Sequence, residues 1–364
     1  NGVSRSTFFR VAQKLIHKAP TLMKAIDYVS GILVDDTVAQ LQEVIVKVLP
    51  MQFREQATKD LELVANFLKV QYDGHIAKSE DTVSTHSLKY ALTSPTLYDG
   101  PERAAQCTAC NFPFYFLHKF KSLLVEHTTA NERGDSIEFI DACTEKFQLY
   151  QGHRARVVNQ KAELERVVEN LKTTPDRALI VIDWKMKFEA LRRRETSMGH
   201  YRKRGLPWHG AMIVYFKRDS QGRLRRYNVY LDQIMAGYNK QSSESCVAMI
   251  EGAVHWMQEH LPHIKSIIVQ SDQAECYQSN DLRSRILALN LILHIPIIRY
   301  IHTGVQAGKG LIDAHFSRAQ SFVVGKVEAF RSNQSRKVTT PEGLARVLTG
   351  DGTDRKNCGT QLIK

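Results

Sequence analysis

The chain has 364 residues, 43% of them hydrophobic. It is too long for one ordinary compact domain and apolar enough to bury two or three cores, which excludes wholesale disorder. Its 50 Lys and Arg against 38 Asp and Glu leave a formal charge of +12, which favours a polyanionic partner, most often nucleic acid. A merely basic soluble protein is the plainer alternative.

No apolar run reaches the roughly 18–20 residues of a membrane span, and no signal peptide is visible, so no membrane partner is expected. The six cysteines, Cys107, Cys110, Cys143, Cys246, Cys276 and Cys358, are scattered rather than spaced as a disulfide framework. A reducing, intracellular compartment follows. The chain opens at Asn1 without Met and stops in GTQLIK, which reads as a piece of something larger.

Residues 1–70 read as a helical region suited to DNA binding. Ser4 is placed to cap a helix carrying Phe8, Phe9, Val11, Leu15 and Ile16. The run Gly2-Val3-Ser4-Arg5-Ser6-Thr7 resembles the turn and recognition-helix start of helix-turn-helix DNA readers. Any capped amphipathic helix would look the same. DTVAQLQEVIVKVL and REQATKDLELVANFLKVQY carry apolar residues at three-and-four spacing, which predicts two helices. Residues 71–105 are polar and read as a linker. NFPFYFLHKFKSLLVEH and the stretch from Ser136 to Lys172 then predict two helices, the second long. A linker and helical region thus spans 71–174.

At Pro175 the character changes. RALIVIDWKMKFE predicts a buried strand ending at Asp183. WHGAMIVYFKRD and RLRRYNVYLDQI flank the short turn SQG and predict a hairpin. A helix over SSESCVAMIEGAVHWMQEHLP, a strand over IKSIIVQSD, a helix over DLRSRILALNLIL, a strand over IPIIRYIH and a last helix from Leu311 follow. That order predicts an α/β domain over 175–334, whose mixed sheet has a three-strand meander then two further strands, with flanking helices. Residues 335–364 read as irregular.

Three acids stand out by position. Asp183 ends the first strand, Asp272 follows the fourth, and Asp313 opens the last helix. Groups at the carboxyl ends of strands converge on one edge of such a sheet. Three carboxylates held together repel one another, and a divalent cation, Mg²⁺ or Mn²⁺, is their natural counter-charge. Alone, each Asp is more simply a turn residue or helix cap. Glu189 and Glu275 rank behind them, the first lying well past the strand's end and the second a turn after Asp272.

The order and spacing of these acids resemble the RNase H-like superfamily, in particular DDE/D transposases and retroviral-type integrases. Here 88 residues separate Asp183 from Asp272 and 40 separate Asp272 from Asp313. The resemblance covers about residues 176–330, and the third acid is Asp where Glu is commoner. It implies an RNase H-like fold and two metal ions held by Asp183, Asp272 and Asp313. It also implies cleavage and transfer of DNA strands, a homo-oligomer, and a nuclear location in a eukaryote. A nuclease of the same fold without strand transfer, and a non-catalytic nucleic-acid-binding descendant, are the alternatives.

Gly304-Val-Gln-Ala-Gly308-Lys309-Gly310 falls one residue short of a P-loop, and Gly310 stands where Ser or Thr would hold Mg²⁺. The glycines more simply allow a tight turn, leaving Lys309 to meet a substrate phosphate. His302 and His315 flank the site. Residues 191–210 carry Arg192, Arg193, Arg194, Arg202, Lys203 and Arg204, with Tyr201 and Trp208 interleaved. Such a loop grips phosphates and stacks on bases, or is only a solvated loop. Finally, Cys107-x-x-Cys110 is half of a structural zinc site. His118, His127, Cys143 and His153 are candidates for the other half, and two buried thiols are the alternative.

Overall fold

Leu41, Ile45 and Leu49 recur every fourth residue, and Ala57, Leu61, Val64 and Leu68 keep the three-and-four rhythm; all are buried. That spacing lays them on one stripe of a helix. In the computed structural model, which describes residues 28–77, 86, 107–189, 205–237, 240–304, 310–329, 338–349 and 358–363, these stripes run along α1 (Asp36–Lys47) and α2 (Met51–Asn66) and into the turns that follow. A π-helical turn, Phe67–Gln71, leads to α3 (Tyr72–Ala77). Then come α4 (Thr108–His127) and α5 (Ser136–Thr173). Tyr72, Ile76, Leu117, Phe120, Leu124, Phe147 and Tyr150 complete one core with the first two helices. Buried Tyr150 donates its hydroxyl to the Leu68 carbonyl at 2.8 Å, which satisfies that hydroxyl inside the core.

The chain divides into two units, Asn1–Ala162 and Glu163–Lys364. The helical region matches the sequence reading in kind. The division, however, falls inside α5 rather than at 174/175, because Val167 and Leu171 near the end of that helix pack with the second unit's core.

The second unit is α/β. Its sheet contains β1 (Arg177–Phe188), β2 (Leu206–Arg218), β3 (Leu224–Met235), β4 (Ser266–Ser271), β5 (Ile297–His302) and β6 (Cys358–Ile363). The order across the sheet is β5-β4-β1-β2-β3-β6. The first three strands form an antiparallel meander, while β4 pairs parallel with β1, β5 with β4 and β6 with β3. The hairpin turn needs Gly222, whose φ of 76° suits glycine best.

Alternation sorts each strand between two faces. Ala178, Ile180, Ile182, Ala211, Ile213, Leu231 and Val269 pack against α6 (Ser243–His260) and α7 (Asn280–Ile292). Leu179, Met212, Val214, Phe216, Ile234 and Ile268 pack against α8 (Leu311–Ala329) and α9 (Pro341–Thr349). The sheet is therefore a middle layer with helices on both sides, as an inner sheet of this composition requires.

Four sequence readings are corrected. Residues 335–364 are not wholly irregular: α9 and β6 lie within them, and the sheet has six strands rather than five. CGTQLI carries too little apolar signal to be read as a strand alone; pairing with β3 makes it one. The linker assigned to 71–105 begins with α3 instead. β1 runs on to Phe188, so Asp183 is the seventh of its twelve residues, and Glu189 directly follows the strand. The helix-turn-helix reading lies outside the described residues. Among the described residues, no helix is long and apolar enough to cross a membrane, and no cysteine is in a disulfide.

Candidate functional site

Asp183 sits mid-strand yet at an edge. The last pair between β1 and β4 joins Val181 to Gln270. Two residues further along each parallel strand are Asp183 and Asp272, so the two acids stand level where β4 leaves off. β1 continues past that point because β2 still pairs with it. Asp183 shares the face of Leu179 and Val181, which is the face covered by α8, and α8 carries Asp313 in its first turn. The sheet register and one helix thus bring all three predicted acids to one end of one face.

Their charges interact. Burial first, then repulsion from Asp272 and Asp313, raises the Asp183 carboxyl to about 7, partly opposed by a hydrogen bond from the Trp184 backbone. Asp272 accepts from the Ala274 N–H at 2.9 Å. Asp313 accepts from the Gly310 N–H at 2.9 Å, reaching back across the first turn of α8. The end of β4 is held by its neighbours. Tyr300 donates to Ser271 Oγ at 3.0 Å, and that hydroxyl donates to the Asp272 carbonyl at 2.9 Å. His302 Nδ1 lies 3.3 Å from the same Ser271 hydroxyl. It therefore braces the strand end rather than standing free. Glu275 opens a single turn, Glu275–Gln278, and is exposed.

What holds α8 in place is a row of residues across the sheet. Asp183 pairs with Gly210, and Gly210 with Asp232, on one face of three adjacent strands. Gly210 leaves room for the helix: a Cβ there would lie 2.6 Å from Phe316 Cζ. Asp232 is fully buried and accepts from Trp208 Nε1 at 2.8 Å. His315 Nε2 lies 3.0 Å from Asp232 Oδ1, an ion pair once the ring is protonated. Burial alone would lower the His315 pKa, but Asp232 and Cys358 outweigh it and raise it to about 9. Ile312, Phe316, Ala319 and Val323 bury the same face of α8. Each large side chain contributes roughly 1.5–3 kcal/mol, so packing seats the helix and the ion pair fixes its register. His315 is thus an anchor for the helix that carries Asp313.

On the opposite face, His209 is fully buried between Gln233 Oε1 at 2.7 Å and the Tyr277 hydroxyl at 3.0 Å. Burial depresses it to about 4, so it is neutral. Its ring meets Trp184 edge-on at 4.8 Å, directly behind Asp183. Lys185, on the Asp183 face of β1, lies over the Trp208 ring at 5.4 Å, and burial lowers its pKa. Sequence reading missed Asp232, His209 and Lys185. The available signal was an acid and a histidine at inward positions of otherwise apolar strands.

The predicted phosphate contacts Arg192, Arg193, Arg194, Arg202, Lys203, Arg204 and Lys309 all lie outside the described residues, as does Tyr201. Trp208 is described and is a fully buried core residue, so it does not stack on bases.

A second group of ligand-type side chains lies in the first unit. Cys107 and Cys110 come together as predicted, but His118, His127, Cys143 and His153 do not supply the other half. His118 is exposed, His127 stacks on Phe53 at 4.4 Å, and burial pushes the Cys143 thiol up to about 12. Instead His75 and His86 face the two thiols, and the four ligand atoms lie within 4.8 Å of one another. Among the described residues no other such group of three or more is as tight; Asp272 and Asp313 act on the Asp183 carboxyl through space without the three converging that far. No family model, curated protein or solved structure matches the chain.

Proposed function

We propose that Glu163–Lys364 is an RNase H-like catalytic unit of the DDE/D transposase and integrase kind, which cleaves DNA and transfers the cut strand. One observation carries the reading: the β1–β4 register and the start of α8 bring Asp183, Asp272 and Asp313 to one end of one sheet face. The meander β1–β2–β3, with β4 and β5 added parallel on the β1 side, supports the fold assignment.

The donor set fits Mg²⁺ or Mn²⁺. It is all carboxylate oxygen, and its mutual repulsion is what a divalent cation relieves. Bound there, the ions would lower the pKa of the attacking water or 3′-hydroxyl and stabilise the leaving oxygen. Asp183, Asp272 and Asp313 would hold them. Lys185, on the same face as Asp183, offers positive charge to the substrate phosphate. Asp232, paired with His315, keeps α8 and hence Asp313 in register. The formal charge of +12 favours the DNA polyanion as partner.

The test is cleavage of duplex DNA by the full chain in Mn²⁺. Asp272→Asn should abolish it while leaving thermal unfolding in EDTA cooperative. Unchanged cleavage by that variant would sink the assignment. A labelled cut end incubated with a target duplex separates the neighbouring activities, because a nuclease without transfer leaves the two unjoined. Salt-sensitive DNA binding without Mn²⁺ binding at the acids would mark a non-catalytic descendant instead.

A further inference from the structure

We infer that His75, His86, Cys107 and Cys110 form a tetrahedral zinc site that staples the first unit. His75 Nε2 lies 3.1 Å from Cys107 Sγ, and His86 Nε2 lies 3.0 Å from Cys110 Sγ. All four ligand atoms are within 4.8 Å of one another. Around Zn²⁺, with Zn–S of about 2.3 Å and Zn–N of about 2.0–2.1 Å, the edges of the tetrahedron are roughly 3.3–3.8 Å. The four atoms therefore surround a volume of zinc size, and shifts of under about 1 Å bring them to bonding positions.

The chemistry of the donors selects the ion. Two thiolates and two imidazoles are soft and borderline ligands, which favour Zn²⁺ over Mg²⁺ or Ca²⁺. Two thiolates also cancel the charge of Zn²⁺. The neutral cluster can then be buried without an uncompensated ion, and Cys110 and His86 are buried. The two rings are set edge to face, 4.9 Å apart at 88°, so both Nε2 atoms aim at the thiols without the rings colliding. Two isolated His–Cys hydrogen bonds would not require the pairs to meet. Here they do, from three separate points of the chain.

Local structure explains how they meet. Cys107 directly precedes α4 and Cys110 lies in its first turn, so one helix start aims both thiols at one point. His75 rides on α3, whose Tyr72 and Ile76 are buried in the core that α4 also joins. Arg154 on α5 donates from Nε to Asp73 at 2.8 Å and fixes α3 from another side. His86 comes from a polar stretch with few apolar residues of its own. A metal bond would tie His86 to α3 and to the start of α4. The site is independent of the acid site in chemistry and in unit.

The experiment is zinc stoichiometry on the full chain purified without added metal. About one zinc per chain is expected, with release by a strong chelator lowering the melting temperature. Cobalt substitution should give the visible bands and thiolate charge-transfer of a tetrahedral site with two sulfurs. Cys107→Ser should lose the ion. Because that variant can also fail to fold, His75→Cys provides the second reading: it should retain metal and shift the cobalt spectrum toward three sulfurs. Asp272→Asn should keep full zinc, which separates this inference from the proposed catalytic role. A wild-type chain with no zinc, no response to chelator and no tetrahedral cobalt spectrum would overturn it, as would an unchanged spectrum in His75→Cys.

Discussion

Replacing Asp183 by Asn should stabilise the metal-free protein. The carboxyl is half-buried and faces Asp272 and Asp313, which together with burial raise it from 3.8 to about 7. Below pH 3.8 both folded and unfolded chains carry the proton, and the site costs nothing. As pH rises toward 7 the unfolded chain releases its proton first, so stability falls by about 1.4 kcal/mol per pH unit. Above 7 the full penalty, roughly 4 kcal/mol, is in place. Asn keeps the volume and removes the charge, though its buried amide also has a cost. The net gain expected at pH 8 is therefore about 1–3 kcal/mol, or a rise of about 2–7 °C in the unfolding of the roughly 200-residue second unit.

Thermal unfolding in EDTA measures this directly. The gain should be largest at pH 8 and shrink by more than half at pH 5, where wild type has bound most of its proton. Mn²⁺ should reverse the ranking, stabilising wild type and leaving the variant nearly unmoved. If the Asp183→Asn variant were no more stable than wild type in EDTA at pH 8, the acids would not be crowding one another. The case for a shared cation would fall with that result.

Three further outcomes follow from residues in and around this row. His315, raised to about 9, stabilises the fold fully below its unfolded value of 6.5 and loses that contribution as pH rises through 9. Urea titrations should show a fall of roughly 3 kcal/mol over this window, absent in His315→Gln. Gly210→Ala should cost about 1–3 kcal/mol by driving Cβ against Phe316, and adding Phe316→Leu should return part of it in a double-mutant cycle. His209→Ala leaves Gln233 Oε1 and the Tyr277 hydroxyl without their partner; a loss of about 2–4 kcal/mol at pH 8 should appear in the same titrations and shrink by about 1.4 kcal/mol at pH 5.5, where the unfolded imidazole takes up a proton that the buried ring, held at about 4, does not.

The second unit was legible because its sheet is inner and its helices amphipathic. RALIVI must bury both faces, and Leu282, Ile286 and Leu289 mark one stripe, so period and length sorted strand from helix. β6 was not legible, since its Gln361 is held through partners far along the chain. It accepts from Gln233 Nε2 at 2.8 Å and donates to the Gly252 carbonyl at 2.9 Å. The acids were legible as an ordered set, but Asp183 was misplaced at a strand end because only the pairing with β4, not that with β2, stops near it. His75 and His86 were hidden in a polar stretch. The expected partners of Cys107 and Cys110 stand downstream along the helices, while the histidines that face them lie upstream.

Asp313 has two roles that one substitution can separate. Its carboxylate accepts the Gly310 N–H at 2.9 Å, as an acid in the first turn of a helix does, and its charge also acts on Asp183. A capping residue needs only an acceptor, whereas a ligand to a divalent cation needs the charge. Asn supplies the first without the second. Asp313→Asn should therefore change stability in EDTA by less than about 1 kcal/mol, the scale of a cap and of relieved repulsion that oppose each other. The same variant should lose Mn²⁺-induced stabilisation and Mn²⁺-dependent cleavage together. Were both retained, Asp313 would be a helix cap alone, and the glycines before it would shape nothing more than the start of α8.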